Sequence, residues 1–239
     1  MQNVSGDLLN YVKERTLDRN FQVRKEALTG LAKIYKELQY SAGRRCDISQ
    51  QIANKILHGY YMTGLQDRLL VERLLNTCLV PFQLAADIRM KRLFLLYATI
   101  DENATKSFNE MQKIRATVRQ VVVELTDILS CNGRHGEIPS RLAQLSEFLP
   151  DPIKATEFIG QWTTDLIRDG HMLRLLETIV HPQTSCRQCA DVVKQLLKRL
   201  GEPVETNLYF YTIKLLMDRI SSVLIDQEAV EYLASYPLP

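Results

Sequence analysis

From residue 8 onward, apolar side chains recur every three or four positions. Leu8, Leu9, Val12 and Leu17 are followed by a polar break at 18–20, after which Val23, Ala27, Leu28, Leu31, Ile34 and Tyr35 resume the period. This spacing predicts two amphipathic helices joined by a polar turn. Neither helix buries its stripe alone, so the two pack antiparallel and offer the remaining apolar edge to a neighbouring pair. The same period predicts further helices over about 48–62, 65–80, 85–100, 103–130, 138–149, 153–168, 171–180, 186–200, 207–223 and 227–235. Gly43, Pro81, Asp101, CNGRHGEIP at 131–139, LPDP at 149–152, Gly170, Pro182 and GEP at 201–203 punctuate them. No strand-and-hairpin series interrupts the pattern. The chain therefore reads as all-α: an α-solenoid of HEAT-like antiparallel helix pairs over 1–239, with a flexible joint expected at 131–139. The repeats are irregular, because the 103–130 helix is about twice as long as some neighbours.

One spacing goes beyond periodicity. Asp18, then Val23 and Arg24, then Ala27 and Leu28 follow the turn-plus-second-helix pattern of HEAT repeats. In that pattern the Asp accepts hydrogen bonds from free helix N-terminal amides and the Arg bonds along the stack of repeats.

Composition narrows the class. At 239 residues and 46% hydrophobic content, the chain buries a continuous core. It holds no run of about 18 apolar residues, and Met1 to Asn10 lack the basic-then-apolar order of a signal peptide, so the cytosol or nucleus is expected. Five cysteines, an odd and unevenly spaced set, read as reduced thiols. The net charge of +2 conceals a gradient. Residues 1–120 carry 19 Lys and Arg against 12 Asp and Glu, and 121–239 carry 11 against 16. A basic front half suits an acidic peptide, a polyphosphate or nucleic acid, or is simply a set of solvated helix faces.

Catalytic motifs are lacking. His58, His135, His171 and His181 are dispersed, with no His-Glu-x-x-His pair, Gly-x-Ser-x-Gly elbow or phosphate-cradling glycine loop. Cys186 and Cys189 form a Cys-x-x-Cys pair below His181, but no second ligand pair is near in sequence. They are read as small buried side chains behind an N-cap at Ser185. Phe94, Phe158, Trp162, Phe210 and Tyr211 fall in helical stripes and are assigned to core packing. In DIRMKRLFLLYATID, Arg89, Lys91 and Arg92 crowd a helix start, against the macrodipole, where either an acidic ligand compensates them or they are simply three solvated bases on an exposed turn. In DRLLVER, Arg68, Glu72 and Arg73 share one helix surface, which pairing between helix neighbours explains, while Leu69, Leu70 and Leu74 turn inward.

Together and in this order, DLLNYVKERTLD, VRKEALTGLAKIYK, DRLLVER, RMKRLFLLYATID, NEM, LPDPIKATEF and PQTSCRQC resemble the middle of the precocious-dissociation-of-sisters cohesin regulators. The resemblance covers nearly the whole chain and fades over the last dozen residues. It implies a nuclear, chromatin-associated HEAT-repeat protein without catalytic activity. Such a protein binds the kleisin subunit of cohesin, recruits the wings-apart-like releasing factor and controls sister-chromatid cohesion through the cell cycle. It also implies inositol polyphosphate as a ligand in some members. Kleisin contact is placed on the middle helices, with Arg68, Glu72, Lys91, Arg92 and Tyr97 as polar and aromatic anchors. The competing reading is a generic helical-repeat scaffold for another acidic peptide or for nucleic acid.

Overall fold

The computed structural model describes residues 6–40, 46–61, 64–131 and 135–235. Among these it contains twelve α-helices and no strand: α1 (Gly6–Arg15), α2 (Phe21–Tyr40), α3 (Cys46–His58), α4 (Leu65–Leu74), α5 (Ala86–Thr99), α6 (Glu102–Ser130), α7 (Ile138–Ser146), α8 (Pro152–Arg168), α9 (Gly170–Val180), α10 (Cys186–Lys198), α11 (Leu208–Ser221) and α12 (Gln227–Ser235). The all-α, HEAT-like class expected from the periodicity is the class observed. The chain forms two compact units, one of residues 1–81 and 88–111 and one of 82–87 and 112–239, so α6 contributes to both. Of the expected joint at 131–139, residues 132–134 lie outside the described residues, and His135–Glu137 form a single 3-10 turn against α7.

In the first unit α1 packs on α2, α2 on α3, and α2 also on α4. Leu28, Leu31 and Ala32 of α2, Ile52, Ile56 and Leu57 of α3 and Val71 of α4 are all buried where these helices pack. The 3-10 turn Gly59–Tyr61 joins them closely: a Cβ at Gly59 would lie 3.3 Å from Val71 Cγ2 and 3.5 Å from Leu28 Cδ1.

The turn before α2 refines the expected Asp-to-Arg pattern. The Asp18 carboxylate accepts the Asn20 N–H at 2.9 Å, and the Asn20 side chain in turn accepts the Gln22 N–H at 2.8 Å. Asn20, rather than Asp18, is therefore the residue that caps α2. Arg24 bonds along the stack as expected. Its Nε and Nη2 donate to the two Asp67 carboxylate oxygens of α4 at 2.8 and 2.7 Å, and its Nη1 donates to the Asp18 and Arg19 carbonyls at 2.9 and 3.0 Å. Asp67 is 1% exposed and Arg24 9%. The bond to Asp67 raises the Arg24 pKa despite the opposing effect of burial.

The second unit builds from α7 to α11 in sequence, with α11 also returning to α8 and α9. Trp162, Ile159 and Leu166 of α8 pack with Leu176 and Ile179 of α9 and Ile213, Leu216 and Met217 of α11. Its helix starts are capped in turn. Asp169 accepts the His171 and Met172 amides, Ser185 and Gln188 form a reciprocal capping box, Asn207 accepts the Phe210 amide, and Asp226 accepts the Ala229 amide. Asp226, 5% exposed, also accepts the Cys186 N–H at 2.9 Å, so one carboxylate serves the starts of both α10 and α12. The end of α11 is held by cations: Arg119 donates to the Ile220 carbonyl at 2.5 Å and Arg115 to the Arg219 and Ser222 carbonyls. Arg219 itself donates to the Phe148 carbonyl at 2.7 Å. Cys186 and Cys189 are buried behind the Ser185 cap, the placement the sequence suggested. Burial pushes the Cys189 thiol above its ordinary pKa.

At the start of α6, Asp101 accepts the Ala104 N–H at 2.8 Å and pairs with His58 Nε2 at 2.9 Å, while its own N–H donates to the Asn54 side chain at 3.0 Å. Desolvation acts to raise its pKa and is outweighed by the Ala104 amide and His58, so the carboxyl sits below its ordinary range.

Two outcomes follow from these contacts. Arg24→Met leaves the Asp67 carboxylate buried without its partner and lowers unfolding free energy by about 3–5 kcal/mol, whereas Arg24→Met with Asp67→Leu recovers most of that loss; urea denaturation of the three chains checks both. For Asp101, the depressed pKa makes its contribution to stability complete above the unfolded value of about 3.9 and lost as pH falls through the lower folded value. Asp101→Asn keeps a capping oxygen but removes this titration. Its melting temperature therefore falls less steeply than that of the parent chain below about pH 4, as thermal scans across the acid range would record.

Candidate partner-binding surface

The five residues assigned to partner contact divide into outward and inward sets. On α4, Arg68 is exposed, its guanidinium 5.8 Å from the Tyr60 ring centroid, whereas Glu72 is 4% exposed and held in internal interactions. On α5, Lys91 and Tyr97 are exposed, and Arg92 is half-buried. The Tyr97 hydroxyl accepts a hydrogen bond from the Asn109 side chain at 3.5 Å, and its ring meets Phe108 edge to face with centroids 5.7 Å apart. Lys91 and Tyr97 are both exposed but do not share a face: Lys91 lies on the outer side of α5, whereas Tyr97 follows the stripe of Met90 and Leu93 and is exposed near the end of the helix, and Arg68 stands outward on α4.

Arg89 departs from its expected place. It was grouped with Lys91 and Arg92 as a cluster of bases at a helix opening, yet it is fully buried, because it lies on the inward arc with Leu93 and Leu96, at i, i+4 and i+7. Phe94 also departs, in the opposite sense. Assigned to the core, it is 53% exposed, and Tyr211 likewise stays 38% exposed; Trp162 and Phe210 are buried as expected.

The α5 sequence ADIRMKRLFLLYAT explains the misplacement of Phe94. Apolar residues surround the helix rather than forming one stripe. Arg89, Met90, Leu93 and Leu96 fill the inward arc, so Ile88, Phe94, Leu95 and Ala98 are left outside, the first three at 44, 53 and 52% exposure, while Tyr97, on the stripe of Met90 and Leu93, is 45% exposed near the end of the helix. A helix apolar all round ordinarily buries its whole circumference. The surplus is legible in the sequence, but which arc stays outside is shown only by the packing.

Folding also sorts the charges of this region. Between residues 64 and 99 two of the three acids, Asp67 and Glu72, are buried and Asp87 is half-buried on the same side of α5 as Lys91, while the most exposed charges, Arg68, Arg73 and Lys91, are positive. A stretch of mixed sign in sequence thereby presents a cationic exterior. A π-helical turn, Leu75–Leu79, ends α4; the Val80 N–H reaches the Leu75 carbonyl at 2.8 Å, and Asn76 Nδ2 donates to the Glu72 carbonyl at 2.8 Å. Among the described residues no group of three or more His, Cys, Asp or Glu is placed to hold a metal ion.

Comparison with known proteins connects this fold and surface to a family. The family described as "Sister chromatid cohesion protein PDS5 protein" matches residues 1–237. Human "Sister chromatid cohesion protein PDS5 homolog B" is 41% identical over 239 residues, covering 96% of this chain and 16% of the relative. Gallus gallus PDS5 homolog A is 36% identical over 237 residues, covering 96% of this chain and 18% of that protein. The chain thus spans roughly a sixth of the length of these curated relatives. A solved chain from a Pds5-Scc1 complex superposes with a TM-score of 0.78 at 17% identity, over 97% of this chain and 37% of the solved one, a likeness of fold. By its sequence this chain belongs to the PDS5 family of sister chromatid cohesion proteins.

Proposed function

We propose that the chain is a non-catalytic, kleisin-binding segment of a cohesin regulator, acting in the nucleus on chromatin-bound cohesin. The observation that carries this reading is the outer half of α5, an apolar arc with Lys91 within it, on a chain whose structural neighbour was solved with the kleisin Scc1. A disordered kleisin segment that orders on binding loses conformational entropy, so its affinity must come from a few large apolar contacts and matched charge. Phe94, Leu95 and Tyr97 offer the first, and Lys91, Arg68 and Arg73 the second. On this reading residues 1–239 act as a single solenoid segment within a longer architecture, with its helix pairs forming a scaffold for the peptide. By family resemblance alone, the proposal extends to the wings-apart-like releasing factor as a second partner and to inositol polyphosphate as a small ligand.

Glu72 is buried and Arg92 half-buried, so on this reading Lys91, the exposed charge of α5, is the one that meets the partner. Lys91→Glu weakens binding of a fluorescent kleisin peptide by about tenfold, near 1.4 kcal/mol, and the difference shrinks as salt is raised. Its melting temperature stays within about 2 °C of the parent, because Lys91 is exposed. Fluorescence anisotropy at two salt concentrations measures the effect. A folded chain that binds duplex DNA more tightly than the peptide would favour the nucleic-acid reading instead.

A further inference from the structure

We infer, independently of kleisin binding, that residues 223–235, α12 with its connection from α11, form a latch that opens as one piece and uncovers the Cys186 thiol while the rest of the second unit stays folded. The segment is lightly held. It buries two apolar side chains, Leu224 and Ala229, and half-buries Val223, Tyr232 and Leu233, whereas α8 alone buries Ala155, Ile159, Trp162 and Leu166. Ile225 and Val230 face water at 51 and 55% exposure. An element with so little apolar surface removed from water opens at a lower free energy than the core it rests on.

A carboxylate fastens the segment to α10. Asp226, 5% exposed, accepts the Ala229 N–H at 3.0 Å through Oδ1 and the Cys186 N–H at 2.9 Å through Oδ2. The first bond caps α12 on itself, and the second ties that cap to the start of α10. Cys186 bonds into the segment a second time, because its thiol donates to the Val223 carbonyl. Upstream the chain is fixed: Arg115 donates to the Ser222 carbonyl, and the Ser222 hydroxyl donates to the Asp218 carbonyl at 2.7 Å. The hinge therefore lies just after Ser222. Cys186 and Cys189 are each 1% exposed, but the Cys189 thiol donates to the Ile179 carbonyl of α9 at 3.4 Å. Opening at the hinge breaks both bonds of Cys186 and leaves that of Cys189 intact. The reactivity of one thiol thereby depends on a conformation: shielded from reagents when the latch is closed, and accessible when it is open.

The test pulses the full 239-residue chain with iodoacetamide across low urea concentrations, and tryptic cleavage after Arg187 places Cys186 and Cys189 on separate peptides. Without urea, Cys186 is expected to label more than about tenfold faster than Cys189. Its rate should change little as urea is added while that of Cys189 climbs steeply, because a local opening exposes less surface than unfolding. Asp226→Ala removes the clamp, and Ala229→Gly weakens α12 without touching the carboxylate. Each is expected to raise the Cys186 rate by about fivefold or more in a chain that keeps its helical circular dichroism. The α12 amides should exchange hydrogen with a single opening constant that matches the Cys186 labelling. Equal rates and equal urea slopes for the two cysteines would mean that Cys186 is reached only when the whole unit unfolds, and the latch is then wrong. Exchange that rises steadily toward Ser235, with a Cys186 rate indifferent to Ala229→Gly, would show fraying from the end of the helix and would overturn it as well.

Discussion

The buried guanidinium of Arg24 is the contact on which the first unit most depends. It spends two donors on the Asp67 carboxylate and a third on the carbonyls of Asp18 and Arg19, so one side chain joins the turn before α2, the body of α2 and the start of α4. A buried pair of this kind adds little net stability over an apolar substitute, but it fails severely when one partner is lost. Its contribution is therefore one of register. Helices with interchangeable leucine stripes can slide past each other by a turn, whereas a bidentate ion pair allows one alignment. The second unit meets the same requirement with different residues. Arg115 and Arg119, one turn apart on α6, close the carbonyl end of α11, and Asp226 closes the amide ends of α10 and α12.

These internal contacts also decide what the surface becomes. Asp67 is drawn inside by Arg24, and Glu72 is buried, so the α4–α5 region loses two of its acids to the interior. The exposed residue of charge is positive, though the sequence there alternates in sign. Arg89 follows the same logic from the other side: a third base of the MKR neighbourhood is withdrawn, leaving Lys91 as the exposed cation of α5. The electrostatic face is thus a product of packing. Summing charges along the chain yields the sign of the front half, and burial selects which side chains display it.

Much of this fold is legible in the sequence, because helical periodicity is local and the breaks carry strong punctuation. The polar stop at 18–20, Asp101 ahead of α6 and Ser185 ahead of α10 all mark helix boundaries that the structure retains. The Asp18-to-Arg24 spacing reveals that an arginine bonds along the stack, but not that Asp67 receives it, since a partner 43 residues away is fixed by tertiary packing. The surface is harder to read for a related reason. Periodicity identifies an apolar arc only when the opposite arc is polar, and α5 is apolar on both. Phe94 consequently resembles a core residue in sequence, and only the burial of Arg89, Met90, Leu93 and Leu96 shows which arc faces inward.

That double-sided character is itself informative about α5. Arg89 on the inward arc takes a guanidinium into the interior, and Ile88, Phe94 and Leu95 on the outward one leave apolar side chains in water. For the isolated unit this choice exposes apolar surface and buries a charge. It becomes favourable when the outward arc is covered by another chain, because the same side chains then leave water without any rearrangement of the helix beneath. The inward arginine fixes α5 in that orientation in advance. A rigid, preoriented face reduces the conformational entropy lost on association to that of the incoming segment. On the proposed reading, the apolar side chains left in water on the free chain are the ones a partner would cover.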